Sequence, residues 1–123
     1  MRSLSIRFSL LLCLVFPALT SAVTPMVSAG INHTVALKSD GTVMAWGLNG
    51  YGELGDGTGR DRPSPTAVPG LTGVLAVTAG DYHTVALKTD GTVMAWGYNV
   101  VGQLGDGTTT NRPSPTEIGR AHV

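Results

Sequence analysis

The sequence predicts an all-β chain built from two copies of one four-stranded β-propeller blade. Three observations point there. HTVALKSDGTVMAWG at His33–Gly47 returns as HTVALKTDGTVMAWG at His83–Gly97, and LGDGT at Leu54–Thr58 returns at Leu104–Thr108, each time fifty positions on. Repetition at this period marks units that cannot bury their apolar surface alone and must stack on neighbours. Each unit breaks into short β-prone runs between turn residues, with no helical pattern. Finally, the runs alternate without either face becoming polar, which suits a sheet covered on both sides by other sheets rather than a half-exposed one.

The chain opens with Met1, Arg2 and Arg7, continues through an apolar run from Phe8 to Leu19, and reaches the small residues Thr20, Ser21 and Ala22. That is the pattern of a secretory signal peptide cleaved before Val23. The run of about 12 residues falls short of the ~20 that cross a bilayer, and Pro17 interrupts its end. Residues 1–22 are therefore read as a signal peptide, and the mature protein as secreted, periplasmic or extracellular, with no membrane segment once the signal is removed. Cys13, the sole cysteine, follows leucines where a lipid acceptor would follow small residues. The mature chain then has no disulfide, and its stability must come from packing.

In the first repeat, residues 23–70, the expected strands are Met26–Gly30, His33–Lys38, Thr42–Gly47 and about Thr66–Val68. In the second, residues 71–123, they are Val74–Gly80, His83–Lys88, Thr92–Gly97 and Thr116–Ile118. Ser39-Asp40-Gly41 and Thr89-Asp90-Gly91 read as three-residue hairpin loops closed by Gly41 and Gly91 in the left-handed conformation. His33, Val35 and Leu37 share one face, and Thr42, Met44 and Trp46 share one face of the next strand. From Asn49 to Pro65, and again from Asn99 to Pro115, the density of Gly, Asp, Thr and Pro makes a long connection. Within it Arg62-Pro63-Ser64-Pro65 must run extended.

The stretch AGxxHTVALKxDGTVMAWGxNxxGxLGDGTxxxRPSPT, at Ala29–Thr66 and again at Ala79–Thr116, resembles the regulator of chromosome condensation repeat. The resemblance covers essentially the whole mature chain. It implies a blade of a propeller that is usually seven-bladed, so that further blades are expected in the same or another chain. It also implies a binding platform for a protein partner, whose identity the residues do not reveal. Members of the family include a nuclear exchange factor for a small GTPase, and regulation of a GTPase is the alternative function. The export signal and the presence of two repeats instead of about seven argue against it.

Without Arg2 and Arg7, six basic residues face eight acidic ones, a net charge of −2. No clustered basic stripe remains to displace the counterions of a nucleic acid, so DNA and RNA are disfavoured as partners. No cofactor is implied. His33 and His83 stand at equivalent strand starts but lack the further ligands that a metal site needs, and read as structural. Trp46 and Trp96 read as packing between blades. The single Asp56 or Asp106 in each GDGT falls short of a calcium loop and reads as a turn acceptor. Asn32-His33-Thr34 matches a glycosylation acceptor, but the second copy has Tyr82 in place of Asn32. With no nucleophile elbow, zinc-protease helix or P-loop, the chain is read as a non-enzyme.

Loops rather than strands carry contacts in such folds. The candidate binding residues are accordingly Asn49, Tyr51, Asp56 and Arg60 in the first repeat and Tyr98, Asn99, Asp106 and Arg112 in the second. The expected function is that of an exported, non-catalytic propeller repeat acting as a protein-binding or structural scaffold, and a fragment of a longer ring.

Overall fold

Strands of four to nine residues, separated by glycine-rich turns, fold into two four-stranded antiparallel sheets in the computed structural model, which describes residues 22–121. Apart from Ala22, the predicted signal peptide, with Cys13, lies outside the described residues. The first sheet runs β1 (Met26–Ala29), β2 (His33–Leu37), β3 (Val43–Gly47), β4 (Arg62–Ala67), and the second β5 (Val74–Ala79), β6 (His83–Lys88), β7 (Thr92–Gly97), β8 (Arg112–Arg120). Each is a simple meander in which sequence neighbours pair. The β2–β3 and β6–β7 hairpins close through Gly41 at φ +83° and Gly91 at φ +88°, where a side chain would be strained. Asp40 and Asp90 accept from the amides of Thr42 and Thr92 and hold those turns.

The outer strands begin earlier than their β-propensity suggests. β4 takes in Pro63 and Pro65, and β8 takes in Pro113 and Pro115. A proline has no amide hydrogen to offer a ladder, but at a sheet edge only one side needs pairing, so extended prolines are accommodated. The register shifts between Ala45 and Gly47 as β4 passes them, and again between Ala95 and Gly97 along β8.

The two copies of HTVAL bury opposite faces. In β2 the alternate residues His33, Val35 and Leu37 are buried, whereas in β6 the buried residues are Thr84 and Ala86. On the third strands, Val43 and Ala45 are buried in β3, while in β7 the ring of Trp96 is fully buried and its counterpart Trp46 is only half-buried. The reason is stacking: the first sheet turns one face toward the second, and the second turns its other face back. One apolar cluster fills the space between them, with Val35, Leu37, Val43, Leu54, Val74, Val77 and Trp96 among its members. Removing a side chain of this kind from water stabilises the stack by ~1.5–3 kcal/mol. Trp96 is fully buried in this cluster. Trp46 differs, because it lies on the face of β3 turned away from the second sheet.

Candidate functional site

The long connection of each blade is organised around one asparagine. Asn49 is completely buried. Its amide nitrogen donates to Asp56 Oδ1 at 2.9 Å and to the Arg60 carbonyl at 3.0 Å, while its oxygen accepts from the Leu54 amide at 2.9 Å. Its own backbone amide donates to Asp61 Oδ1 at 2.8 Å. Asn99 repeats the pattern with Asp106, the Thr110 carbonyl, Leu104 and Asn111. A glycine-rich loop has little packing of its own, and these bonds replace it.

Asp56 completes the loop: Oδ1 accepts from Thr58 and Asn49, and Oδ2 accepts from Arg62 Nε at 2.8 Å. Burial would raise this carboxyl, but Arg62, Thr58 and Asn49 outweigh it and hold it at about 2. In the second blade the Thr108 hydroxyl and the Arg112 guanidinium, whose Nε lies 2.6 Å from Asp106 Oδ2, hold Asp106 far below the usual carboxylate range. Five of the eight candidate binding residues thus have their polar groups engaged inside the loops: Asn49, Asp56, Asn99, Asp106 and Arg112. Asp56 and Asp106 read in the sequence as turn acceptors as well as contact candidates, whereas nothing local to Asn49, Asn99 or Arg112 shows that each loop folds back on its own asparagine. Among the described residues, no three His, Cys, Asp or Glu side chains gather as a metal site.

The seam between the blades has its own polar chain. Thr84 donates its hydroxyl hydrogen to the Glu53 carbonyl at 2.9 Å, so it must accept from His33 Nε2, 3.0 Å away. This assigns the proton of the neutral imidazole to Nε2. Burial lowers the His33 pKa below its ordinary 6.5, which keeps the ring neutral. Gly55 lies against the Trp96 indole so closely that an added Cβ would come within 2.7 Å of Nε1. Glycine is the residue that permits this approach. Glu53 is buried at the same seam, with Oε1 accepting the Tyr51 amide at 2.7 Å and Oε2 without a protein partner. Burial pushes its carboxyl up.

The β1–β2 turn and the long β3–β4 connection lie at the same end of each meander, with the hairpins of Lys38 and Lys88 at the other. At the first end the turns of the two blades abut, the Ile31 amide donating to the Asp81 carbonyl at 3.2 Å. There Tyr51, Tyr82 and Tyr98 meet. Tyr51 lies 4.7 Å from Tyr98 and 5.5 Å from Tyr82, and Tyr82 lies 6.1 Å from Tyr98, measured between ring centroids, all edge to face. Tyr51 and Tyr98 come from the loops expected to carry contacts. Tyr82, which reads in the sequence only as a departure from Asn32, joins them because the first blade's loop reaches over the second blade. Arg60 is exposed on the loop beyond them.

Together the sheets, the seam and the looped ends define a stacked pair of β-propeller blades. The profile of the Regulator of chromosome condensation (RCC1) repeat matches residues 40–87 and 90–121, and a second RCC1 repeat profile matches residues 74–103. The chain belongs to the RCC1 repeat family. It is 46% identical over 55 residues to the ultraviolet-B receptor UVR8 of Arabidopsis thaliana, covering 43% of this chain and 12% of that protein. It is 42% identical over 51 residues to the E3 ubiquitin-protein ligase HERC2 of Homo sapiens, covering 42% of this chain and 1% of that protein. Prp20p of Saccharomyces cerevisiae superposes with a TM-score of 0.70 at 26% identity, covering 80% of this chain and 26% of that one. Human WBSCR16 superposes with a TM-score of 0.69 at 26% identity, covering 79% and 27%. The chain thus spans about a quarter of these solved structures and at most 12% of these two relatives.

Proposed function

We propose that this chain is an exported, non-catalytic pair of RCC1 blades that binds a protein partner through its looped end and takes further blades of the same type on its open sheet faces, in the same or another chain. The observation that carries the reading is the seam. His33, Thr84 and Trp96 join the blades, and the same residue types stand at His83, Thr34 and Trp46 on the two outward faces. A third repeat on either side would find the groups that the first two already use on each other. Similar propellers bind proteins: Prp20p binds Gsp1p and histones, and yeast RCC1 (Prp20) is found with Kap60. The apolar leader supports export, and regulation of a GTPase has the family likeness alone behind it.

Sedimentation of the mature chain at micromolar concentration tests the stacking. A discrete oligomer, or association that depends on Trp46 and His83, is expected, and a sharp monomer with cooperative unfolding overturns it. Intact mass of protein recovered outside the cytoplasm tests export: Val23 as the first residue is expected, and soluble cytosolic protein retaining Met1 overturns it.

A further inference from the structure

The looped end differs in chemistry from the rest of the molecule. Residues 30–33, 47–62, 80–83 and 97–112 hold three tyrosines, Ile31, Leu48, Val100 and Val101, and five carboxylates, Glu53, Asp56, Asp61, Asp81 and Asp106, against three arginines, of which Arg62 and Arg112 are paired with Asp56 and Asp106. Large apolar groups are left in water there: Ile31 is 54% exposed, Tyr51 40% and Val101 80%. The three tyrosine rings brace one another edge to face, which fixes their positions, and Tyr51 stands exposed beside the partly exposed Tyr82 and Tyr98. Asp81 is exposed in the turn that carries Tyr82, and it acts on the neighbouring His83 in the sense that favours positive charge. Fixed aromatic faces beside a carboxylate attract a guanidinium or ammonium group. The exposed aliphatic side chains around them suit an apolar neighbour of that cation.

We propose that the tyrosine triad of Tyr51, Tyr82 and Tyr98, with Asp81 beside it and Ile31 and Val101 at its margin, docks an extended peptide segment that carries an arginine or lysine next to an apolar side chain. The assignment rests on the reading of this end as a protein-binding surface and gives the chemistry of the partner. An uncharged glycan stacking on the same rings, or a second copy of the chain, would need no carboxylate and no cation.

The test uses the full mature chain, labelled for NMR and titrated with an acetylated hexapeptide alternating arginine with leucine and valine. Its citrulline counterpart and maltohexaose serve as comparisons. Saturable shifts at the amides of Tyr82 and Tyr98 are expected with the arginine peptide, weakened by salt and at least about fivefold weaker with citrulline. Tyr51→Phe keeps the affinity, and Tyr51→Ala lowers it about fivefold to tenfold. Val101→Glu and Val101→Lys lose the same apolar contact, and the Glu variant is expected to bind the peptide more tightly than the Lys variant. That exposed pair decides the matter should Tyr51→Ala fail to fold. Equal binding of the citrulline peptide, shifts with maltohexaose alone, or indifference to the charge at residue 101 overturns the proposal. If the peptide fails on a chain whose Trp96 and His33 signals are those of docked blades, the cation site alone is lost. If those signals are absent, the stacked-blade reading falls with it.

Discussion

Thr84 accepts the Nε2 proton of His33 at 3.0 Å while donating its own hydrogen to the Glu53 carbonyl, so one hydroxyl on the second blade joins two elements of the first. Thr84→Val keeps the shape and removes both roles, leaving a buried donor and a buried acceptor without a partner. A loss of about 2–4 kcal/mol is expected, measured by urea unfolding at constant m-value. A loss under about 0.5 kcal/mol, the level of an ordinary surface change, would show that the seam does not need this bond.

The same histidine gives the stack a pH dependence of definite sign. His33 is depressed below 6.5 by burial, and His83 is depressed by burial against the opposing effect of Asp81. The unfolded chain takes up these protons first, so their contribution is fully present above pH 6.5 and is lost as pH falls toward the folded-state values. NMR titration of the imidazole carbons, set beside unfolding midpoints across that range, checks the sign. A His33 titrating at or above 6.5 would contradict it.

Glu53 works in the opposite direction. Its folded pKa is raised by burial above the ordinary 4.5, so its contribution is present below pH 4.5 and is lost as pH rises through the folded value. Glu53→Gln, the residue that the second repeat carries at Gln103, is expected to remove this slope and to stabilise the chain at pH 7 by about 1 kcal/mol or more. Parallel pH profiles for the variant and the parent would refute it.

The two tryptophans should part company despite their identical sequence surroundings. Trp96→Ala is expected to cost about 3–5 kcal/mol, as for other large core truncations. Trp46→Ala is expected to cost under ~2 kcal/mol in the dilute chain, because its ring is only half-buried. Repeating the measurement at higher protein concentration tests the proposed stacking, since a Trp46 cost that rises with concentration means that another blade has covered the ring.

Inside the loops the asparagine should matter more than the ion pair beside it. Arg62 is 34% exposed along its side chain where it meets Asp56, and a pair so open to solvent is worth at most about 1 kcal/mol. Asn49→Ala leaves the Leu54 amide and the Arg60 carbonyl unpaired and is expected to cost about 2–4 kcal/mol. Protease cleavage between residues 49 and 61 gives the comparison directly, with Asn49→Ala cut faster than Arg62→Ala. The Asp56 carboxyl, held at about 2, contributes stability above its ordinary 3.8 that is lost as pH falls toward 2.

Much of this was legible in the sequence for a local reason. Alternation along His33–Leu37 and the turn residues at Asp40-Gly41 act within a few residues, so strand type, hairpin placement and the fifty-residue unit could be read directly, as could the lack of a polar face on either side of the sheet. That Arg62–Pro65 runs extended was legible, but its pairing as part of β4 was not, because that depends on the strand lying at a sheet edge. Nor was the burial of Asn49 and Asn99, which needs the loop's far end to return.

By itself, then, the sequence determined an all-β repeat of the RCC1 kind, its hairpins and the identity of its two units. Tertiary structure alone decided which face each unit buries, since identical HTVAL strands bury His33 in one blade and Thr84 in the other. It also brought Tyr51 across to Tyr82 and Tyr98. The physical reason is common to both: a repeated segment has the same local preferences in every copy, but burial and contact belong to the pair of surfaces that meet, and the two copies meet from opposite sides.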